Sequence, residues 1–373
     1  MVDGGPKTEY DQMPKVVKFV LLFEGTGNHD ANPSAMGHLY DMLKDNRTQR
    51  KHIVSGSGTH GFCLWRLLGR AFGYDAFDVV LKQYQWLTAH VVQMGLDSSR
   101  VEIYAFGFSR GGYQARLFCD ILTRFGIPSQ VKECKNNVRK YWLTLLRFIP
   151  REYYMLPTNI RFEKMIRYVG LIDPVRALIP GFVLRYSSSL PDGILGRCAF
   201  SIDEKRRAFY PQYKNGTNVD SQWFSGVHSD VGWAYNGKRA TKVLGKMALK
   251  WLLAPVETQL EFINYLDAFP DNFLNAVEMV AAFEFIQHNS LKEGLWWLAG
   301  TKYRWVCRRH KSVRAVRAAL RSIGVKPPKV FAIWPFPSKW FRCINRRRVI
   351  PVVRHLLANR PIVEGVFRRM KLY

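Results

Sequence analysis

Long apolar runs are absent from the sequence, and none approaches the roughly 18 to 20 residues that a helix needs to span a bilayer. Residues 1–15 also hold no apolar segment of the kind that forms the core of a secretory signal. We therefore expect a cytoplasmic protein or one bound peripherally to a membrane. If the protein is exported, we expect a route that needs no cleaved signal.

Cysteine is scarce and scattered. The six cysteines among 373 residues are Cys63, Cys119, Cys134, Cys198, Cys307 and Cys343. Their spacing matches neither a metal site nor the dense disulfide framework of small secreted proteins, which indicates synthesis in a reducing compartment. No metal ion and no organic cofactor is predicted.

Acidic residues are few: 56 lysines and arginines stand against 29 acidic residues and give a net charge of +27. Residues 291–373 hold 21 of these basic residues against Glu293 and Glu364, a net charge of +19 that leaves +8 for residues 1–290. With 47% hydrophobic residues the chain can bury a large core, which excludes a disordered protein. We predict a folded domain over 1–290 and a separate basic region over 291–373.

Strands and helices alternate along the predicted domain. A helix is predicted over 75–94, where apolar residues form one broad face and Gly95 is placed to end it. Buried strands are predicted at 16–23, 52–55, 101–106, 166–172 and 222–227. This alternation predicts an α/β fold with a mostly parallel sheet and helices on both of its faces.

The most distinctive motif is Gly107-Phe108-Ser109-Arg110-Gly111, which follows a predicted strand and opens a predicted helix. A serine on such a sharp turn needs small neighbours, and Gly107 and Gly111 provide them. Its hydroxyl becomes a nucleophile when a base takes the proton and a carboxylate orients that base. Ser109 is therefore predicted to be a catalytic nucleophile. The alternative is a coincidental turn, because the five-residue pattern also occurs by chance.

An acid and a histidine follow Ser109 in the order that this type of site requires. Asp173 and His228 each end a predicted strand, and in parallel sheets the catalytic residues lie at the carboxyl ends of strands. We predict that His228 is the base and Asp173 its partner. The alternatives are a turn before proline for Asp173 and a surface histidine for His228, with Asp203 and Asp230 as other candidate acids.

Backbone N–H groups are expected to stabilise the oxyanion that such a nucleophile creates. One is predicted to come from Arg110 at the start of the helix, and another from Gly25 or Thr26 in the glycine-rich turn after the first strand. A phosphate-binding loop is the competing interpretation of that turn, but the G-x-x-x-x-G-K-[ST] pattern is missing.

Residues 127–162 fit no single element. A basic helical stretch over 132–147 is followed by Pro150 and Pro157. The segment is interpreted either as a lid or insertion beside the site or as an ordinary packing helix, and both interpretations stay open.

Six blocks of sequence resemble, in the same order, the alpha/beta-hydrolase domain of bacterial type VI secretion lipase effectors. They are FEGTGN at 23–28, GSGT at 56–59, GFSRGG at 107–112 with AR at 115–116, GLIDPV at 170–175, DEKR at 203–206 and WFSGVHSDVG at 223–232. The resemblance implies an alpha/beta-hydrolase fold and a triad of Ser109, Asp173 and His228. It also implies carboxylic-ester hydrolysis, with phospholipase activity as in the secreted members.

Three positions depart from the family's pattern. Glu24 stands where the family usually has aspartate, which points to a role in shaping the oxyanion loop. A histidine common before the DEKR block is missing, with Cys198 nearby, and Trp233 breaks a Gly-Gly pair. We expect Trp233 to narrow the site.

The basic region 291–373 interleaves lysine and arginine with tryptophan and phenylalanine. This composition suits an anionic membrane surface, and a lipid substrate favours that interpretation. Nucleic-acid binding through phosphate contacts is an alternative, as is a helical subdomain with a solvated basic face. The densest clusters are Arg308-Arg309 and Arg346-Arg347-Arg348.

The sequence as a whole predicts an alpha/beta hydrolase that cleaves a carboxylic ester, in a lipid such as a phospholipid. One alternative is a soluble esterase for non-lipid acyl groups. The other is a catalytically silent, basic binding protein for membranes or nucleic acids on a hydrolase scaffold. A secretion partner or immunity partner is not identifiable from the sequence.

Charge reversal tests the membrane interpretation of residues 291–373. Replacing Arg308, Arg309, Arg346, Arg347 and Arg348 by glutamate is expected to abolish sedimentation with anionic vesicles, because each basic residue near the lipid contributes about 1 kcal/mol of attraction. Binding that is unchanged after the reversal contradicts the interpretation.

Overall fold

The structure is a computed structural model. It describes residues 14–25, 33–55, 76–145, 164–175, 193–204, 218–224, 226–234 and 239–269, with the single residues 190, 206, 209 and 211. Thr26, residues 146–162 and the basic region 291–373 with its arginine clusters lie outside the described residues. The proposed domain boundary and the membrane-binding arginines therefore stay predictions.

Within the described residues, six strands form one parallel sheet in the order β2-β1-β3-β4-β5-β6. Their bounds are β1 Val17–Phe23, β2 Gln49–Val54, β3 Val101–Phe108, β4 Ile166–Ile172, β5 Gly196–Ser201 and β6 Val219–Phe224. The predicted parallel sheet is confirmed. The short strand β5 was not predicted.

Helices connect the strands and pack on the sheet. Their bounds are α1 Ala35–Met42, α2 Ala76–Gln93, α3 Arg110–Phe125, α4 Val131–Leu145, α5 His228–Val231, α6 Arg239–Leu253 and α7 Tyr265–Ala268. The predicted helix over 75–94 is α2, shorter by one residue at each end. None of the helices in the described part of the chain is long and apolar enough to cross a bilayer.

Alternate side chains of β1 enter two separate cores. Phe19, Leu21 and Phe23 belong to one core, together with apolar residues of α2, α3 and α4. Val20 and Leu22 belong to the other core, with residues of α1 and α6. Because successive side chains of a strand point to opposite faces, this division places helices on both faces of the sheet, as predicted.

The first part of the segment 127–162 packs as a core helix. Cys134, Val138 and Tyr141 of α4 are buried against the core on the α2 and α3 side. The side-chain amide of Asn137 donates to the Tyr84 hydroxyl, 3.3 Å away. A lid interpretation is therefore restricted to residues after α4, which lie outside the described residues.

Parallel register brings the carboxyl ends of the strands to one edge of the sheet. Phe23 pairs with Gly107, and Phe108 with Ile172. Ser201, the last residue of β5, pairs with Phe224, the last of β6. One prediction needs correction here: β6 ends at Phe224, so His228 does not end a strand but begins the short helix α5. Residues that follow these strands converge at this edge.

The start of α3 packs directly on the carboxyl end of β1, and Gly111 makes this approach sterically allowed. A Cβ atom at Gly111 would lie 2.1 Å from the Phe23 carbonyl oxygen and 2.6 Å from that of Glu24. We expect Gly111→Ala to lower the free energy of unfolding by about 1–3 kcal/mol, although alanine ordinarily stabilises a helix relative to glycine.

Denaturant unfolding followed by circular dichroism measures this change. Asn136→Ala on the exposed face of α4 is the matched control, and we expect little effect there. A Gly111→Ala variant as stable as the wild type would contradict the close packing of α3 on β1.

Candidate active site

Ser109 occupies the turn between β3 and α3 in a conformation that non-glycine residues rarely adopt. Its φ is 59° and its ψ is −126°. The turn is held by backbone hydrogen bonds: the Ser109 N–H donates to the Ile172 carbonyl (2.9 Å), and the Ser109 carbonyl accepts from Val175 N–H (3.1 Å). A side chain kept at positive φ by its surroundings is a common feature of functional sites.

The glycines of the motif are required by close approaches between backbone segments. A Cβ atom at Gly107 would lie 2.5 Å from the Gly111 carbonyl oxygen and 2.7 Å from the Gly112 Cα. A Cβ atom at Gly112 would lie 2.9 Å from the Cβ of Pro174. The motif therefore brings the strand, the turn and the helix closer together than larger residues would allow.

His228 lies between Ser109 and Asp173 and is hydrogen-bonded to both. Its Nε2 is 2.7 Å from the Ser109 Oγ. Its Nδ1 is 2.6 Å from the Asp173 Oδ2. All three side chains are buried, with exposed fractions of 4% for Ser109, 3% for His228 and 0% for Asp173. The structure thus brings together the three residues that strand ends and chain order predicted, in the geometry that allows a histidine to deprotonate a serine.

Asp173 follows β4 and is held by the neighbouring strand β5. Ser201, at the end of β5, donates its hydroxyl to Asp173 Oδ2 (2.7 Å) and its backbone N–H to Oδ1 (3.1 Å). The backbone N–H of Asp173 donates to the carbonyl of Ala199 (2.7 Å). Sequence reasoning missed Ser201, since β5 was not predicted. The signal that could have found it is a hydroxyl at the end of a strand beside β4.

The imidazole of His228 packs between two aromatic rings. Phe108, the residue before Ser109, stacks on it with ring centres 4.7 Å apart and an angle of 27°. Phe209 meets it edge-on, at 4.7 Å and 72°. Burial lowers the pKa of His228 below the ordinary value, and this effect outweighs the hydrogen bond and the negative charge of Asp173, which raise the pKa. Burial therefore favours the neutral form of His228, which is able to accept a proton.

The other candidate acids bind the backbone next to His228 rather than its ring. The Asp203 Oδ2 accepts from Gly226 N–H (2.8 Å), at a glycine whose φ is 107°. The Asp230 Oδ2 accepts from Val227 N–H (2.9 Å). Both carboxylates thus shape the turn that carries His228, while Asp173 contacts the imidazole itself.

A buried ion pair follows β5 in the same region. Glu204 and Arg206 are joined by two side-chain hydrogen bonds, Nε to Oε1 at 3.0 Å and Nη2 to Oε2 at 2.8 Å. Burial raises the pKa of Glu204, but the hydrogen bonds and positive charge of Arg206 prevail and lower it to about 2. Sequence reasoning carried these residues only as part of a family-like block.

Arg110 and Gly25 are the predicted oxyanion donors that lie in the described residues, and their N–H groups are placed differently. Arg110 is the first residue of α3, directly after Ser109, where the N–H groups of a helix point away from the helix body. Gly25 does not fit its predicted role, because its N–H donates to the Glu24 Oε2 at 3.0 Å. The remaining candidate in that turn, Thr26, lies outside the described residues.

Glu24 ties the turn after β1 to the start of α1. Its carboxylate accepts from the Ser34 hydroxyl (2.6 Å), the Ser34 N–H (3.2 Å) and the Gly37 N–H (2.9 Å). Burial raises the pKa of Glu24, and these hydrogen bonds oppose that rise. The carboxylate therefore joins the end of β1 to the start of α1, and its expected role in shaping the oxyanion loop stays a prediction.

Trp233 packs beside His38 and Lys246, and its expected narrowing of the site stays a prediction. Its ring stacks on His38, with centres 4.0 Å apart, and the Lys246 ammonium lies 5.6 Å from its centre. Trp233 belongs to the core on the α1 and α6 side of the sheet. Cys198, the other departure, is buried in β5 on the opposite side.

The candidate site has no obvious place for a metal ion. In the part of the chain that the structure describes, no group of three or more His, Cys, Asp or Glu side chains could hold one. The absence of a metal or organic cofactor from the activity stays a prediction.

Solved structures with low sequence identity align with this chain. The Tle1 effector bound to the VgrG spike of the type 6 secretion system aligns over 59% of this chain and 52% of its own, with 18% identity and a TM-score of 0.34. An uncharacterized protein from Pseudomonas aeruginosa aligns over 96% of this chain and 63% of its own, with 16% identity and a TM-score of 0.41. YahD with malic acid aligns over 64% and 93%, with 12% identity and a TM-score of 0.28. This chain thus spans about half the length of that Tle1 effector.

Comparison with curated proteins gives no match. One protein-family model matches residues 17–148 and 157–255, more than half of the chain, and includes β1 to β6 with Ser109, Asp173 and His228. That model describes the catalytic domain of the Tle1-like phospholipase effectors of the type VI secretion system, and the chain belongs to this family.

Proposed function

We propose that this chain is a serine hydrolase that cleaves a carboxylic ester of a phospholipid. The observation that carries the proposal is the hydrogen-bonded series from Asp173 through His228 to Ser109, with Ser109 on a turn at positive φ. Membership of a phospholipase effector family supports the substrate class.

Acylation begins at the Ser109 hydroxyl. Its Oγ attacks the ester carbonyl carbon while His228 Nε2, 2.7 Å away, takes the proton. Asp173 keeps the other ring nitrogen protonated and stabilises the imidazolium. His228 then donates the proton to the leaving alcohol, and the acyl group stays on Ser109 as an ester.

Deacylation repeats these steps with water. His228 takes a proton from a water molecule, the resulting hydroxide attacks the acyl carbon, and the fatty acid leaves as Ser109 regains its proton. The oxyanion of each tetrahedral intermediate accepts from the Arg110 N–H and, in our proposal, from the Thr26 N–H rather than that of Gly25. Such donors typically contribute about 3 kcal/mol to transition-state stabilisation.

The partners of the protein follow from the same proposal. A phospholipid substrate lies in a membrane, and we assign residues 291–373 to an anionic membrane surface. The similar Tle1 effector is bound to a VgrG spike, and we propose a spike protein of that kind as the delivery partner.

Loss of the nucleophile tests the enzyme directly. We expect a fluorophosphonate probe to label the wild type, and Ser109→Ala to abolish both labelling and release of fatty acid from phospholipid vesicles. Ser99→Ala, an exposed serine outside the site, is the matched control and should label normally. A wild type that the probe does not label would indicate a catalytically silent binding protein.

The substrate class is decided by comparing two substrates on the same preparation. Fatty acid and lysolipid released from phospholipid vesicles, in amounts that depend on Ser109, support the phospholipase. Hydrolysis of short water-soluble esters with no release from vesicles would instead support the alternative, a soluble esterase.

The pH dependence of kcat/KM tests His228 as the base. The base must be neutral, and burial lowers the pKa of His228 below its ordinary value of 6.5. Activity should therefore fall as the pH drops through a midpoint below 6.5 and reach its plateau above that midpoint. An acid-side midpoint well above 6.5 would be inconsistent with His228 as the base.

Asp173→Asn should reduce kcat by about 10⁴-fold, because the asparagine favours the wrong tautomer of His228.

A further inference from the structure

The buried pair of Glu204 and Arg206 contacts His228 by two routes. The Glu204 Oε2 accepts the backbone N–H of His228 at 3.3 Å. The Arg206 guanidinium lies 3.6 Å from the centre of the Phe209 ring, and Phe209 meets the His228 imidazole edge-on. One route holds the backbone at the start of α5, and the other reaches the imidazole through Phe209.

The pair is tightly built and almost fully buried. The exposed fraction is 1% for Glu204 and 6% for Arg206. Besides the two side-chain bonds, the backbone N–H of Arg206 donates to Glu204 Oε1 at 2.7 Å. Apolar residues of similar volume often stabilise a protein as well as a buried ion pair does, so stability alone is a weak reason for placing one here.

The effect of the two charges on the His228 imidazole is a stronger reason for a buried ion pair at this place. The charged groups that act on His228 are Asp173 after β4, and Glu204 and Arg206 after β5. Glu204 stabilises the imidazolium, whereas Arg206 destabilises it. Two opposite charges joined within 3 Å oppose each other at a third group, so their combined effect on the charge of His228 is smaller than that of either charge alone.

We propose that the Glu204–Arg206 pair is a positioning device for His228, which fixes the start of α5 and, through Phe209, the plane of the imidazole, while its two charges offset each other. The inference rests on the proposed function, since it concerns the same base. Glu204 and Arg206 are positioning residues, because they act on the reacting atoms through His228.

Removal of one charge at a time should move the pH midpoint of kcat/KM in opposite directions. Glu204→Gln removes a negative charge that favours the imidazolium, so the acid-side midpoint should move to lower pH. Arg206→Met removes a positive charge that disfavours it, so the midpoint should move to higher pH as far as the Glu204 carboxylate, which then lacks its partner, stays ionised. Each shift is expected to be on the order of one pH unit.

The double variant separates the effect of the two charges on the pH midpoint from the effect of the pair on the position of His228. Glu204→Gln with Arg206→Met removes both charges and should return the midpoint to that of the wild type. The double variant still lacks the two side-chain hydrogen bonds of the pair and the contact of Arg206 with Phe209. Its kcat on a short soluble ester should therefore be lower by about 10- to 100-fold, with KM little changed. If Arg206→Met alone does not fold, Glu204→Gln and the double variant suffice for the comparison.

A second ion pair on the same sheet provides the control. Arg167 and Glu102 are joined at 2.9 Å on β4 and β3, near the amino ends of these strands. Glu102→Gln with Arg167→Met should change neither the midpoint nor kcat. Rates are expressed per active site, counted by fluorophosphonate labelling, so that partial unfolding does not appear as a loss of kcat.

The outcomes distinguish a failure of this inference from a failure of the proposed function on which it rests. Opposite shifts that cancel in the double variant support the positioning device. Shifts in the same direction, or an unchanged midpoint with kcat per active site as in the wild type, overturn it and leave the serine hydrolase intact. A wild type that the probe does not label overturns both.

Discussion

The close approach of α3 to the carboxyl end of β1 is the contact on which the candidate site depends. Gly111 lets the first turn of the helix rest on the carbonyls of Phe23 and Glu24. The chain must then turn sharply at Ser109, which accounts for the positive φ of that residue. The same approach sets Arg110 at the start of the helix and holds the hydroxyl at the edge where the other strands end.

Around this turn, buried polar groups are held mainly by one another. Asp173 is held by Ser201, Glu204 by Arg206, and Glu24 by Ser34 and Gly37. Burial alone would favour the neutral form of Glu24 and Glu204, and hydrogen bonds oppose that tendency. At His228 burial prevails over the hydrogen bond to Asp173, so its pKa falls and the neutral imidazole remains available as a base.

Parts of this arrangement were predictable because they depend on local sequence. The motif around Ser109 predicted a strand, a turn and a helix, and β3 and α3 meet there. Asp173 was predicted from its place after a buried strand, and it follows β4. His228 was predicted to end a strand, but it begins the short helix α5. The periodicity of β6 does not reveal that the strand stops at Phe224 and that a helical turn follows. Gly25 and Thr26 were both candidate oxyanion donors, and local sequence does not reveal that the Gly25 N–H bonds to the neighbouring carboxylate.

The sequence by itself determined the order of the elements, the parallel sheet, the turn at Ser109 and the residue types of the site, since these follow from apolar periodicity and from glycines at fixed spacings. Only the tertiary structure decided which groups meet. Ser201 reaches Asp173 through the register of β5 beside β4, and Glu204, shortly after β5, meets the backbone of His228 at the start of α5. Contacts between residues far apart in the chain depend on register and on loop paths, and local patterns of residues do not specify these.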